Sequence, residues 1–225
     1  MDLLIVAATP FEIQPFTDHL STHFEQVSAY HFQKKEVDIH LLITGAGMVN
    51  TAFSLGHVLA KKRFHLVINA GIAGAFNRTL QIGDVVQVVS EQFGDLGVEE
   101  KDGRFTDLFE LGLLEKDQPP YDKGRLLNSG TANFGFLPIC KGLTINKVHG
   151  SESSIKAIRE KYEVDVESME GAAFFYACLQ SEVPFLQIRS ISNYVEPRNR
   201  EGWDLPTSIT NLNKVLVEIM EVLQS

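Results

Sequence analysis

Residues 167–179 constrain the rest of the chain more than any other stretch. They read Glu167-Ser168-Met169-Glu170-Gly171-Ala172-Ala173, then Phe174-Phe175-Tyr176-Ala177-Cys178-Leu179. The run after Gly171 is nearly all apolar and predicts a helix buried on most of its faces. Two carboxylates stand just before it, and a carboxylate is rarely buried unless paired or hydrogen-bonded. The first turn of a helix tolerates an anion best, because unsatisfied backbone N–H groups point at it. Glu167 and Glu170 are therefore expected there, ionised and fixed at the edge of a dry core, as acceptors for two neighbouring hydroxyls. The same pattern also fits a helix N-terminus that merely favours acidic residues.

The rest of the chain supplies the partners of that helix. Leu3 to Ala8 is a continuous apolar run and predicts a strand buried on both faces. Thr9 and Pro10 follow as an N-cap and a first helical residue, which puts Glu12 in the first turn of a helix. In open α/β sheets ligands bind at the carboxyl ends of strands, where Glu12 falls; an ordinary first-turn acid is the plainer reading. Glu25–Phe32 and Val37–Thr44 read as a hairpin-like pair. Gly45-Ala46-Gly47-Met48-Val49-Asn50 turns into a helix expected to reach about Lys62.

His65–Ala70 reads as a further strand, ending in a tight turn at Gly71-Ile72-Ala73-Gly74. Two strand–glycine–helix junctions suggest backbone close to a ligand. Neither is a dinucleotide fingerprint, since Gly45-x-Gly47-x-x-Asn50 lacks the third glycine. Ile82–Val89 is a turn and a buried strand. From about Glu91 to Lys123 the pattern dissolves, as expected of a lid, an oligomer contact or disorder. Leu143–Val148 alternates as a strand. Ser151 caps a helix over Ser154–Tyr162, and Val183–Asn193 is a strand with a polar end. Asp204-Leu205-Pro206 opens a final amphipathic helix. Alternating strands and helices predict one α/β domain over residues 1–225, with a central, mostly mixed sheet flanked by helices.

Composition narrows the function. The net charge of −9 disfavours nucleic-acid binding. Cys140 and Cys178 form no C-x-x-C pair and suggest a reducing, cytoplasmic setting. Leu3–Ala8 is too short for a membrane span and has no basic segment before it. The seven histidines (His19, His23, His31, His40, His57, His65 and His149) show no ligand spacing, so no metal is expected.

Polar groups thus stand at three strand ends: Glu12, Glu167 with Glu170, and Ser192-Asn193. Together with Asn69-Ala70-Gly71-Ile72-Ala73-Gly74, this arrangement resembles the nucleoside phosphorylase and nucleosidase superfamily over nearly the whole chain. It looks most like the single-substrate N-glycosidases, methylthioadenosine/S-adenosylhomocysteine nucleosidase and futalosine hydrolase. Arg189–Arg200 looks specifically like futalosine hydrolase, a family of the alternative menaquinone pathway.

The resemblance implies a purine nucleoside substrate, no cofactor and at least a homodimer. It implies that Met169 and Glu170 hold the ribose, that Glu12 positions the attacking water, and that Val148 meets the purine through its backbone. Asn193 would face the imidazole edge of the purine. Gly71, Ile72 and Ser192 would complete the binding wall. Arg198, Arg200, Arg104 or Lys147 could meet the substrate's carboxylate.

Three positions depart from the adenine-specific nucleosidases. These carry Asp at Asn193 and Glu at Ser168, so Glu167 would have to shift to supply the second water contact. They also carry a stacking Phe at Lys147, which leaves Phe93, Phe105 or Phe134 to cover the base. A phosphorylase would need cationic groups around phosphate, and Thr9-Pro10-Phe11-Glu12 offers an acid instead. A nucleoside sensor without turnover would have little use for a water-activating acid.

Overall fold

Strands buried on both faces require a sheet covered on both sides. The computed structural model describes residues 1–128, 130, 135 and 137–224. Its elements run β1 (Asp2–Ala7), α1 (Pro10–His23), β2 (Glu25–Ser28), β3 (His31–Lys34), β4 (Val37–Ile43), α2 (Met48–Leu59), β5 (Leu66–Ala75) and β6 (Val85–Phe93). They continue as β7 (Gly97–Glu99), β8 (Phe105–Asp107), β9 (Tyr121–Asp122), β10 (Arg125–Leu127), β11 (Ile139–Thr144), α3 (Glu152–Lys161), β12 (Val166–Ser168), α4 (Gly171–Gln180), β13 (Phe185–Tyr194) and α5 (Leu205–Gln224).

The main sheet runs β2-β3-β4-β1-β5-β12-β11-β6-β10-β9, and β13 pairs with both β5 and β6. Strands β5, β12, β11, β6 and β13 therefore close into a ring of mixed parallel and antiparallel pairs. Helices α1 and α5 share a core with β1 and β5 through Phe16, Leu20, Leu212, Leu216 and Ile219. On the other side Leu55 of α2 and Phe174, Phe175 and Cys178 of α4 pack with Val67 and Val86. Ile155 and Ile158 of α3 cover Leu143 and Ile145. The single α/β domain with a mixed sheet is the architecture the sequence pattern predicts.

Four local features differ from expectation. Strand β5 does not turn at Gly71–Gly74; it continues to Ala75, and these glycines lie inside it. Glu167 lies on β12 rather than in the first turn of α4, and Glu170 is the N-cap. Strand β11 stops at Thr144, so Lys147 and Val148 lie beyond it. The 91–123 stretch is built: β6 takes it to Phe93, β7 and β8 form a separate two-stranded sheet, and β9 leads to β10 at the sheet edge.

Candidate active site

Helix α1 begins as expected, with Thr9 as N-cap and Pro10 behind it. Glu12 reaches back to this cap: the Thr9 backbone N–H donates to Oε2 at 2.9 Å and the Thr9 hydroxyl donates to the same oxygen at 3.1 Å. Its Oε1 accepts from the Ile72 N–H at 3.3 Å. The capping role of a first-turn acid and a place in the site are thus combined in one carboxylate.

The glycines inside β5 explain how polar side chains crowd this end of the sheet. Gly71 is paired with Arg189 of β13. A Cβ at Gly71 would stand 2.9 Å from Glu12 Oε1 and 3.0 Å from Arg189 Nη1. Arg189 is only 1 % exposed, and its Nε and Nη2 find no partner among the described residues. Burial pushes the Glu12 carboxyl above its ordinary value; the Arg189 guanidinium pulls it down and the charge of Glu170 adds to the rise.

Gly74 does the same one step along. It is paired with Glu167 of β12 on one side and with Asn193 of β13 on the other. A Cβ there would meet Asn193 Nδ2 at 3.1 Å and Glu167 Cγ at 3.6 Å. Ser192 Oγ donates to Asn193 Oδ1 at 2.8 Å, and Asn193 Nδ2 donates to the Tyr194 carbonyl at 3.0 Å. A carbonyl only accepts, so these two contacts fix which end of the amide is NH₂. One amide hydrogen and one lone pair remain for a ligand.

At α4 the helix's orphan N–H groups are served by hydroxyls. Gly171 N–H donates to Ser168 Oγ at 3.3 Å and Ala172 N–H donates to Thr144 Oγ1 at 2.6 Å. Glu170 is thereby released from capping, and its Oε1 accepts from the Gly47 N–H at 2.9 Å. Glu167 does not turn toward the Glu12 end. Its Oε2 pairs with His149 Nδ1 at 2.7 Å, and its Oε1 accepts from the His149 N–H at 3.3 Å.

These side chains wall one cavity of about 270 Å³. Of the residues singled out from sequence, Glu12, Ile72, Val148, Met169, Glu170, Ser192 and Asn193 line it. Gly71 lies behind the wall, between Glu12 and Arg189. Arg198 is exposed at a smaller adjoining cavity, with its guanidinium 5.7 Å from the Trp203 ring. Lys147 is exposed and lines neither cavity. Phe93 packs into the core beside α4, Phe105 lies on β8 against Lys161, and Phe134 lies outside the described residues.

The aromatic that borders both cavities is Trp203. No residue spacing announced it, because it sits in the irregular link before α5. Arg189 did carry a signal: a lone cation in the middle of an apolar strand. His149, which no spacing singles out among the seven histidines, has a side chain only 13 % exposed and set against Glu167.

Elsewhere, cross-strand pairing brings together what sequence spacing did not reveal. His31 and His40 face each other across β3 and β4, and with Asp38 their ligand atoms lie within 4.8 Å. His40 Nε2 already takes the Lys62 ammonium at 2.7 Å, and that cation would have to leave before a metal entered. Both cysteines are buried, and burial pushes the Cys140 thiol up to about 12 and that of Cys178 well above its usual value. They act as packing residues.

The site combines three carboxylates, Glu12, Glu167 and Glu170, and the fixed amide of Asn193 around a small cavity, with the buried Arg189 guanidinium behind Gly71. It can bind a polyhydroxyl group, activate a water and hold a heterocycle edge. A model of the phosphorylase superfamily matches residues 2–224. Futalosine hydrolase from Acidothermus cellulolyticus is 32% identical over 178 residues, 76% of this chain and 71% of that protein. The 5'-methylthioadenosine/S-adenosylhomocysteine nucleosidase of Bacillus thuringiensis subsp. konkukian is 27% identical over the full length of both chains. Among solved structures, futalosine hydrolase of Helicobacter pylori superposes with a TM-score of 0.79 at 18% identity, over 98% of this chain and 97% of that one. The Neisseria meningitidis 5'-methylthioadenosine/S-adenosylhomocysteine nucleosidase gives 0.78 at 22%, over 98% and 99%. The chain therefore belongs to the phosphorylase superfamily, as a nucleosidase, a hydrolase acting on N-glycosyl compounds.

Proposed function

We propose that this nucleosidase hydrolyses futalosine, a 6-oxopurine nucleoside, to hypoxanthine and dehypoxanthine futalosine, as a step in menaquinone biosynthesis. The observation that carries the reading is the neutral amide of Asn193, anchored by Ser192 at the cavity wall. A 6-oxopurine turns two acceptors, O6 and N7, toward that wall. A carboxylate would repel both, whereas the free N–H of Asn193 donates to one of them. The relative at 32% identity, futalosine hydrolase, supports the same reading.

The chemistry follows from charge. Breaking the N-glycosidic bond builds positive charge on the ribose and negative charge on the leaving base. Glu170, whose Oε2 carries no hydrogen bond among the described residues, accepts from the ribose hydroxyls, with Met169 beside it. Glu12 takes a proton from water as its oxygen attacks C1′, and Arg189 stabilises the carboxylate while it waits. Val148 lines the base side, Trp203 supplies the ring that covers the purine, and Arg198 meets the substrate carboxylate at the mouth. The reaction needs neither a metal nor a cofactor.

A second reading, methylthioadenosine/S-adenosylhomocysteine nucleosidase, is favoured by the full-length relationship at 27% identity. Side-by-side assay of hypoxanthine release from futalosine and adenine release from methylthioadenosine separates the two. Dependence on added phosphate would mark a phosphorylase instead. A second copy of the chain has an apolar face to use on α2, where Val49 and Phe53, one turn apart, are 79% and 74% exposed beside the cavity residue Ala46. Sedimentation of native protein and Phe53→Asp tests that pairing.

A further inference from the structure

We propose that His149, held in place by Glu167, delivers the proton that the departing base requires. The proposal rests on the nucleosidase reading, with the base at the Asn193 end of the cavity. Asn193 can hold a purine edge but has no proton to give up, and its amide is already tied to Ser192 and to the Tyr194 carbonyl. The purine anion is a poor leaving group, so another acid is needed at this end.

Strand register puts one there. Gly74 is flanked by Asn193 on one neighbouring strand and by Glu167 on the other, and with no side chain between them both project along the same wall. Glu167 is 3 % exposed and grips His149 twice, through the ring Nδ1 at 2.7 Å and through the backbone N–H at 3.3 Å. A carboxylate only accepts, so Nδ1 carries the hydrogen and the ring orientation is fixed. Nε2 is left as the working nitrogen, with no partner among the described residues. The ring lines a small cavity with Glu167, Asn193 and Arg198. Gly74, Val148, Glu167, Asn193 and Trp203 border both this cavity and the main one, so a base resting on Asn193 lies beside His149.

The step balances without further reactants. Water adds HO to C1′ and gives its other proton to Glu12. The N9–C1′ electron pair passes to the base, and His149, having taken a second proton from solvent at Nε2 beside the Glu167 carboxylate, gives that proton to N7 and becomes the neutral Nδ1–H imidazole. The two carriers return to their starting states through solvent. Glu167 acts as a positioning residue that keeps the ring and its tautomer in place.

The test compares leaving groups. Native protein, His149→Gln, His149→Asn and Glu167→Gln are assayed on the purine nucleoside the native enzyme cleaves fastest, and on p-nitrophenyl β-D-ribofuranoside. The nitrophenolate of the second substrate departs without a proton. Both His149 variants should lose about 10²-fold in kcat on the nucleoside, the usual scale of general-acid help, with KM little changed. On the nitrophenyl riboside they should lose less than about 3-fold, which also shows that the fold and the Glu12 and Glu170 machinery are intact. Glu167→Gln should show a smaller loss with the same dependence on the leaving group. Equal losses on both substrates, or full nucleoside activity in the His149 variants, would overturn the proposal. If native protein cleaves no purine nucleoside, the nucleosidase reading itself fails, and the proposal fails with it.

Discussion

The side-chain amide of Asn213 closes a gap in the helix that carries Glu12. Ile13 departs from helical geometry and Pro15 follows it, so α1 is kinked directly after Glu12. Across the kink, Asn213 Nδ2 on α5 donates to the Glu12 carbonyl at 2.9 Å, and Asn213 Oδ1 accepts from the Phe16 N–H at 2.9 Å. One buried amide does the work of the missing turn and fixes where Glu12 begins. Asn213→Ala leaves two buried backbone groups unpaired and should destabilise the protein by about 2–4 kcal/mol. Urea unfolding measures this, and kcat should fall in the same variant because Glu12 loses its anchor.

In the proposed mechanism Glu12 must be ionised to take a proton from water. Its carboxyl is raised by burial, so turnover should fall as pH drops, with a midpoint above the ordinary 4.5 of a glutamate. Arg189 opposes that rise, and Arg189→Met should move the acid limb to still higher pH. Glu12→Gln keeps the shape without the base and should cost about 10²-fold or more in turnover while substrate still binds. Rate–pH profiles of the three proteins, with ligand binding by calorimetry, check these outcomes.

The sequence made the architecture legible because period and punctuation carry it: the buried run Leu3–Ala8, the Thr9-Pro10 start and the Asp204 start each act locally. Glu12, Glu170 and Asn193, which line one cavity, each stand at such a boundary. Gly71 and Gly74 were misread as a turn because glycine marks either a bend or a close approach, and only the register of β12 and β13 tells which. Glu167, expected in the first turn of α4, lies three residues before its N-cap Glu170, on β12, where its carboxylate pairs with His149. Trp203 and Asn213 were invisible because their roles depend on where a distant loop and helix pack.

Glu91 sits fully buried under Gly171 and Gly142, where a Cβ would come within 2.0 Å and 2.3 Å of its Oε1. Gln187 Nε2 and the Thr144 hydroxyl donate to it at 2.6 Å and 2.9 Å. Burial outweighs those bonds and pushes its carboxyl up to about 7, from an ordinary 4.5. Between those values the folded state holds a proton that the unfolded state has released. Stability from this group is therefore full below 4.5 and is lost as pH rises through 7, by about 3 kcal/mol. Glu91→Gln should flatten that part of the stability–pH curve and leave the protein more stable than native above pH 7. Urea midpoints from pH 4.5 to 8 read both.

Glu170 owes its freedom to Ser168 and Thr144, which cap α4 in its place. In the proposed mechanism Glu170→Gln exchanges an anionic acceptor for a neutral amide opposite a ribose that becomes cationic. Transition-state stabilisation should fall by about 3 kcal/mol with the melting temperature nearly unchanged. Substrates lacking the 2′- or 3′-hydroxyl should lose much less on the variant than on the native enzyme. Equal losses on both would remove Glu170 as the hydroxyl partner.

In the proposed futalosine reading, Asn193 carries the choice of base. Adenine offers a donor at N6 beside the acceptor N7, and an amide can pair with that arrangement, so hydrogen-bond count alone does not exclude it. What separates the bases is charge. An ionised Asp at this position would face O6 and N7 of a 6-oxopurine, two acceptors, and would also stand beside the Glu167 carboxylate across Gly74. Asn193→Asp should therefore lose roughly 2–4 kcal/mol of activity on a 6-oxopurine nucleoside, the scale of one well-placed transition-state donor. Ser192→Ala keeps the amide but frees it to rotate, and should lose less, about 1 kcal/mol, the worth of one ordinary hydrogen bond. The native protein should release hypoxanthine from futalosine and hardly touch methylthioadenosine. Hypoxanthine and adenine are measured side by side on all three proteins. Cleavage of adenine nucleosides by the native enzyme at an equal or better rate would sink both the role of Asn193 and the futalosine reading.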